Sequence, residues 1–347
     1  LPRAWKNRMA RYVLRRILQA IPLLFLISFV LFVLTNSLGD PLAVFAESRQ
    51  RPTAAEREMI RRRLGLDKPV FEQYIVWLIG NDWTLVDVRG DGTLMEPGTR
   101  VGVLRGDLGI SFVTRKPAWT RIEERLPGTL TLMVPSYLIT IILAVGIGVY
   151  SSVRQYTLTD NIITGTSFFF YSMPIFFIAL LTIYIFAVQF TRWGLPALPI
   201  GGTGNGTFID LVVHMIMPVF CLVAIQLAGY VRFIRSSMME VLEQDFVRTA
   251  HAKGLSERIV ITRHALKNAA LPLVTLVGLD LPFLLAGAVV TERIFAWPGM
   301  GRLFIESFER SDVPVMMAIL MLLCVLVVIF QILTDVVYTW FDPRIRY

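Results

Sequence analysis

Six long apolar runs constrain this chain more than any other feature of it. They lie near Ile17–Leu34, Thr129–Val149, Ile162–Val188, Leu211–Tyr230, Leu271–Val290 and Val313–Val337, each bounded by charge, glycine or proline. About 20 predominantly apolar residues in helical form cross the hydrocarbon of a bilayer. Inside lipid only helices and closed barrels satisfy their own backbone groups, and runs this long and continuous do not fit barrel strands. The sequence therefore predicts an all-α integral membrane protein with six transmembrane helices. The fourth is expected to be the least hydrophobic, because it carries Gln226 and Gly229.

Composition agrees with lipid as the solvent. Of 347 residues, 55% are hydrophobic and 17% charged, against roughly 45–50% and about 25% in soluble domains. A net charge of +8 raises nucleic acid as a partner. However, the sequence has no zinc-type cysteine spacing, no RNA-binding aromatic-basic motif and no basic low-complexity tail, and retention of Lys and Arg on the cytoplasmic side accounts for the excess. Nucleic acid is set aside in favour of membrane lipid. Cys221 and Cys324 both fall in apolar runs, where cysteine behaves as a small apolar residue. The basic N-terminal segment enters an apolar run longer than a signal-peptide core, with no small-residue cleavage site behind it, so a retained first span is expected.

Basic residues in short segments set the orientation. Arg3, Lys6, Arg8, Arg11, Arg15 and Arg16 precede the first span. Arg232, Arg235, Arg248, Lys253, Arg258, Arg263 and Lys267 lie between the fourth and fifth spans, and Arg344 and Arg346 follow the sixth. Six spans put these segments and the Ser151–Asn161 loop on one side, so both termini are expected in the cytoplasm. The expected division is residues 1–35 as cytoplasmic N-terminus and first helix, 36–128 as an external segment, and 129–347 as a five-helix core with a cytoplasmic loop at 233–268.

Within the external segment, Thr53 and Glu56 have capping-box spacing. Pro69–Ile79 is amphipathic, with Phe71, Tyr74, Ile75 and Leu78 on one face, and Trp77 and Trp83 are candidate interface anchors. Asp91-Gly92 is a hairpin signal. The Arg-Gly-Asp tripeptides at 89–91 and 105–107 are read as chance matches, and the Asn205-Gly206-Thr207 sequon as a glycine-rich turn. In the spans, Pro174 is expected to bend the third, and Met215, Met217, Met316, Met317 and Met321 are read as packing.

Two features suggest function. The stretch Met238–Lys267 is helix-prone through Ala252, is broken at Gly254, which suits a left-handed helix end, and restarts with Ser256 as N-cap. Two short cationic helices joined by a sharp turn can transmit force, where a floppy loop cannot. The other feature is Asp280, a carboxylate within the fifth run, which also carries Pro272 and Pro282. Intramembrane acids usually face a bundle interior or an aqueous cavity. Asp280 is read either as facing a translocation path or partner, or as a hydrogen-bonded tether between helices. The sequence has no Walker A pattern, no H-E-x-x-H pair and no G-x-S-x-G elbow. His214, His251 and His264 are widely spaced, so neither an enzyme nor a metal centre is expected.

The run Asp245-Phe246-Val247-Arg248-Thr249-Ala250-His251-Ala252-Lys253-Gly254-Leu255-Ser256, followed by Arg263-His264-Ala265-Leu266-Lys267-Asn268-Ala269-Ala270-Leu271-Pro272, resembles the EAA loop of ABC importer permeases in its dipeptide/oligopeptide (and nickel) form. Arg248 stands at the motif's first acidic position. Arg15 to Pro22, Gly39-Asp40-Pro41, Arg105 to Gly109, Glu292 to Leu303 and Asp342 to Tyr347 resemble further segments of that family in the same order. Only residues 82–103 stand apart, as an insertion. The resemblance implies a type I importer permease, forming half of a path for peptides with a second, homologous permease. Two cytoplasmic ATPase subunits would carry ATP and magnesium, and an extracytoplasmic binding protein would deliver substrate. Arg248, Thr249, Ala250, Lys253, Gly254, Leu255, Ser256 and Arg258 are the implied ATPase-coupling residues, and the bacterial or archaeal cytoplasmic membrane is the implied location. An ion-coupled secondary transporter and a membrane receptor are the competing classes. Inverted repeats would favour the first and a signalling domain the second.

Overall fold

The computed structural model describes residues 3–37, 53–63, 65–87, 96–286 and 288–341. In chain order the helices are α1 (Arg3–Ser37), α2 (Ala54–Arg63), α3 (Val70–Ile79), α4 (Ala118–Val153), α5 (Leu158–Ser172), α6 (Ile175–Arg192), α7 (Phe208–Leu242), α8 (Asp245–Ala252), α9 (residues 257–269), α10 (Leu271–Ala286), α11 (Val289–Ile294), α12 (Met300–Glu309) and α13 (Val313–Phe341). The strands described are β1 (Leu85–Val86) and β2 (Glu96–Pro97), paired antiparallel with Leu85 opposite Pro97. The hairpin signal at Asp91-Gly92, like Gly39 to Pro41 and the chain end from Asp342, lies outside the described residues.

Among the described residues, six helical stretches are long and apolar enough to cross a membrane: Arg11–Ser37, Ala118–Val153, Ile175–Arg192, Phe208–Leu242, Pro272–Ile294 and Val313–Val337. Two expectations about the spans are corrected. The third run does not form one span from Ile162 to Val188: α5 ends at Ser172, Met173 is extended (φ −85°, ψ 132°), and α6 begins after Pro174. Proline has no N–H to continue the ladder and disfavours helical geometry in the residue before it. This is a break, not a bend. The least apolar of the six is the third, not the fourth. Gln226 and Gly229 are outweighed there by the aliphatic residues around them.

The chain forms two compact units. One comprises Val13–Leu126 and Leu303–Leu326, the other Leu1–Tyr12, Pro127–Arg302 and Val327–Tyr347. In the first unit, Phe32, Tyr74, Trp77, Leu78 and Met317 form a core. Phe32 meets the Tyr74 and Trp77 rings at centroid distances of 5.7 Å, and the Ser28 and Tyr74 hydroxyls are 2.8 Å apart. Trp77 is therefore buried in protein and is not an interface anchor, while Trp83 is exposed with the Arg105 guanidinium over its ring. The capping box forms as expected, with Thr53 N donating to Glu56 at 2.7 Å and Glu56 N to Thr53 Oγ1 at 3.3 Å. Asp312, one residue before α13, is buried, and accepts from Ser111 Oγ at 2.5 Å and Phe112 N at 2.9 Å.

The second unit packs α4, α7, α9 and α10 around Leu132, Tyr137, Tyr230, Ile234, Met238, Ala265 and Leu273. Gly148 and Gly278 allow close helix approach: a Cβ on Gly148 would lie 2.9 Å from Ile234, and one on Gly278 would collide with Thr334 Oγ1. Small residues at such crossings let packing replace the hydrophobic force that lipid does not supply.

Candidate functional site

The elbow after α7 is built by local rules. α7 runs to Leu242, further than its apolar part requires, and turns at Glu243-Gln244 into α8. α8 ends in a Schellman motif: Leu255 N donates to Ala250 O at 3.4 Å and Gly254 N to His251 O at 2.9 Å. Gly254 takes φ +74°, which a residue without Cβ adopts at little cost. The hydrophobic contact that usually accompanies the motif is present, since Leu255 packs on Val247, Ala250 and Val260. Ser256 has the extended backbone of an N-cap, and its carbonyl accepts from Val260 N at 3.1 Å, but its side chain makes no capping bond. α9 contains a π turn at Val260–Ala265 and is tied to α7 where Ser237 Oγ donates to Ala269 O at 3.2 Å.

The elbow has an inside and an outside. Ala250 is buried and Leu255 half-buried in its own small core, whereas Arg248, Thr249, Lys253, Gly254, Ser256 and Arg258 are exposed. Thr249 Oγ1 back-bonds to Asp245 O at 2.9 Å. The Arg248–Asp245 pair, 3.8 Å apart with both side chains exposed, is of the kind that contributes little. Among the described residues, and apart from its chain neighbours, nothing lies within 4 Å of a Cβ built on Gly254. Of the eight residues the family resemblance marked, six form this open rim and two hold it rigid.

Ten residues before α8, Arg235 of α7 is clamped by Asp160, with Nε to Oδ1 at 2.9 Å and Nη2 to Oδ2 at 2.8 Å. The carboxylate is almost wholly enclosed and also accepts from Ser151 Oγ at the end of α4 and from Tyr156 N at 3.0 Å. The guanidinium first, and the Ser151 and Tyr156 donors after it, hold the Asp160 carboxyl well below the usual carboxylate range, against the opposing effect of desolvation. One carboxylate thus joins α4, the turn after it, α5 and α7.

Two more polar clusters lie among the spans. Tyr230 of α7 donates to Asp280 Oδ2 and shares a 2.7 Å hydrogen bond with the buried Tyr137 hydroxyl of α4, so Asp280 is tied to two other spans. Glu292 is fully buried; it accepts from Thr129 Oγ1 at 3.0 Å and from Arg302 N at 2.9 Å, while Met300 N donates to Thr129 Oγ1 at 2.7 Å. Trp297 Nε1 closes the same loop onto Gly128 O at 2.8 Å. Sequence reasoning singled out neither Asp160 nor the Tyr137–Tyr230 pair. The available signal for Asp160 was its place three residues after the cap Thr157, whose hydroxyl accepts Asp160 N at 3.3 Å.

This is the architecture of a membrane component of a transport system: spans joined by buried polar ties, with a rigid, exposed elbow between the fourth and fifth. Residues 144–347 match the family described as binding-protein-dependent transport system inner membrane component, and residues 9–133 match its N-terminal counterpart. The chain belongs to this family. It is 37% identical over 345 residues to the oligopeptide transport system permease protein AppB of Bacillus subtilis (strain 168), covering 98% of this chain and 100% of that one. It is 35% identical over 365 residues to the dipeptide transport system permease protein DppB of Escherichia coli (strain K12), covering 98% and 99%. It is also 34% identical over 340 residues to the glutathione transport system permease protein GsiC of Escherichia coli O6:H1, covering 98% and 100%. An ion-coupled carrier finds no support among these relatives.

Proposed function

We propose that this chain is one of two homologous permeases enclosing the translocation path of an ATP-driven peptide importer, in the cytoplasmic membrane with both termini in the cytoplasm. Residues 36–128 face outward, where an extracytoplasmic binding protein delivers substrate. The elbow faces two cytoplasmic ATPases that bind ATP and magnesium. The observation that carries this reading is the Schellman turn at Gly254. It presents Arg248, Thr249, Lys253, Ser256 and Arg258 on a rim backed by its own core, so a push on the rim moves α7 and α9 as one piece. Asp280 is the residue in the spans that we assign to the path, with Tyr230 orienting it. The substrate class rests on relatives named for oligopeptide, dipeptide and glutathione transport.

The test is a cysteine at Lys253 in the complete transporter, paired with cysteines along the surface of each ATPase. A disulfide that forms in the nucleotide-free complex and blocks ATP-driven uptake supports the docking role. Labelling of that cysteine only from the external face would overturn it. Mass spectrometry of the molecule retained by the co-purified binding protein tests the substrate class separately.

A further inference from the structure

Beside the Asp160–Arg235 clamp, α5 and α7 leave a groove that the elbow does not use. Its polar end is a cavity of about 280 Å³ lined by Thr164, Ser167, Tyr171, Arg232, Arg235 and Ser236. A second cavity of about 490 Å³ shares Ser167 and Ala228 with the first and is otherwise mainly apolar, walled by residues such as Phe170, Ile216, Val219, Phe220 and Leu227. From Ala228 back to Ile216 this trough follows α7 for about 18 Å at 1.5 Å per residue. That is close to the ~15 Å hydrocarbon depth of a single leaflet.

The two arginines at the polar end differ in state. Arg235 is neutralised by Asp160. Arg232 is exposed, lies 5.2 Å over the Tyr171 ring, and has no carboxylate within ion-pair distance among the described residues. A guanidinium held by an aromatic face at the end of an apolar helix face is an uncompensated cation at interface depth. We propose that this groove holds an anionic phospholipid, its phosphate on Arg232 and the Ser236 and Thr164 hydroxyls, its acyl chain along the trough toward Ile216. Basic pockets between membrane helices on the cytoplasmic side take such head groups, and an arginine fork matches phosphate oxygens. A peptide fits the trough poorly, because its backbone needs hydrogen-bond partners in hydrocarbon, and among the described residues of the wall the polar side chains are Thr166 and Ser167. The lipid would lie against the α7 segment that leads into the elbow, so its presence would stiffen the element that carries the coupling motion. The leaflet assignment rests on the orientation given under Proposed function; the lipid itself does not.

The experiment uses the complete transporter in nanodiscs of phosphatidylcholine alone or mixed with phosphatidylglycerol. Native mass spectrometry counts retained phosphatidylglycerol, and substrate-stimulated ATP hydrolysis is measured in parallel. Arg232→Gln is expected to lower retention about fivefold, the equivalent of roughly 1 kcal/mol for a basic residue near the surface, and to remove the dependence of hydrolysis on phosphatidylglycerol. Arg232→Lys should keep most of both, and Arg154→Gln, at an exposed arginine outside the groove, should change neither. Equal retention in Arg232→Gln and the parent overturns the proposal, as does displacement of phosphatidylglycerol by saturating peptide, which gives the groove to substrate. A cysteine at Glu243 labelled only from the external face overturns the orientation and leaves the lipid count standing.

Discussion

Asp160 grips Arg235 through two parallel hydrogen bonds of 2.8 and 2.9 Å, and the two residues come from helices separated in sequence by a whole membrane span. Removing one partner leaves a nearly enclosed charge with an incomplete shell, which costs on the order of 3 kcal/mol, whereas losing both leaves no orphan. Arg235→Ala should therefore lower the thermal stability of the purified complex more than the Asp160→Ala/Arg235→Ala double variant. The loss in the double variant should also fall short of the sum of the two singles. Additive melting shifts would show that the clamp does not act as a unit.

The same carboxylate fixes the sign of a pH effect. Its folded-state pKa is depressed by Arg235, so the stability it adds is fully present above its unfolded value of about 3.9. That contribution declines as pH falls below this value and is lost once pH passes the lower folded-state value. The melting temperature difference between the parent and Asp160→Asn should be flat from neutral pH down to about 5 and shrink only in more acid solution. A difference that grew on acidification would reverse the sign and remove Asp160 from its ion pair.

At Gly254 the conformation and the empty space make separate demands. A φ of +74° penalises any side chain, asparagine least among the polar residues and proline absolutely. Because no atom of the described residues crowds a Cβ there, Gly254→Asn should leave the chain as stable as the parent within about 1 kcal/mol. Gly254→Pro should break the elbow without preventing membrane insertion. With a partner seated on the rim, both variants should weaken substrate-stimulated ATP hydrolysis, proline severely. Full coupling in Gly254→Pro would remove the elbow from the transmission path.

The spans and the elbow were legible because both rest on local rules: hydrophobic length for one, a glycine and its neighbours for the other. The break at Met173-Pro174 was only half legible. Hydropathy is blind to backbone direction, so an apolar run reads the same whether it crosses once or turns. Trp77 was misplaced for a related reason, since aromatic residues suit interfaces and cores equally and only Phe32, from a distant helix, decides between them. The Tyr137–Tyr230–Asp280 chain and the Thr129–Glu292 pair were illegible beyond the acid itself, because partners 50 to 163 residues apart leave no spacing for a sequence to display.

Glu292 and Gly299 are interlocked. A Cβ on Gly299 would collide with the Glu292 carboxyl group, so Gly299→Ala has to displace a fully buried carboxylate from Thr129 and Arg302. Glu292→Ala removes the carboxylate that accepts from the Thr129 hydroxyl and the Arg302 N–H and leaves a cavity in its place, at a cost on the order of 3 kcal/mol. Both variants should lower the melting temperature of the complex by similar amounts, and limited proteolysis should open the loop before α12 in each. In the Glu292→Ala background, adding Gly299→Ala should cost little further, since the colliding group is gone. A fully additive second loss would mean that the glycine answers to some other contact.

Tyr230 and Asp280 separate tethering from transport. Tyr230→Phe removes the hydroxyl that bridges Tyr137 and Asp280, leaving the carboxylate without that donor among the spans, and interhelical bonds of this kind are worth about 1 kcal/mol. Asp280→Asn keeps a carbonyl oxygen for the Tyr230 hydroxyl and removes only the charge. If Asp280 serves the path, Asp280→Asn should assemble with its partners and melt near the parent while uptake in proteoliposomes falls severalfold. Tyr230→Phe should lose stability first and uptake in proportion. Matching losses of assembly and uptake in both variants would make Asp280 a tether alone and leave the path to be lined by other residues.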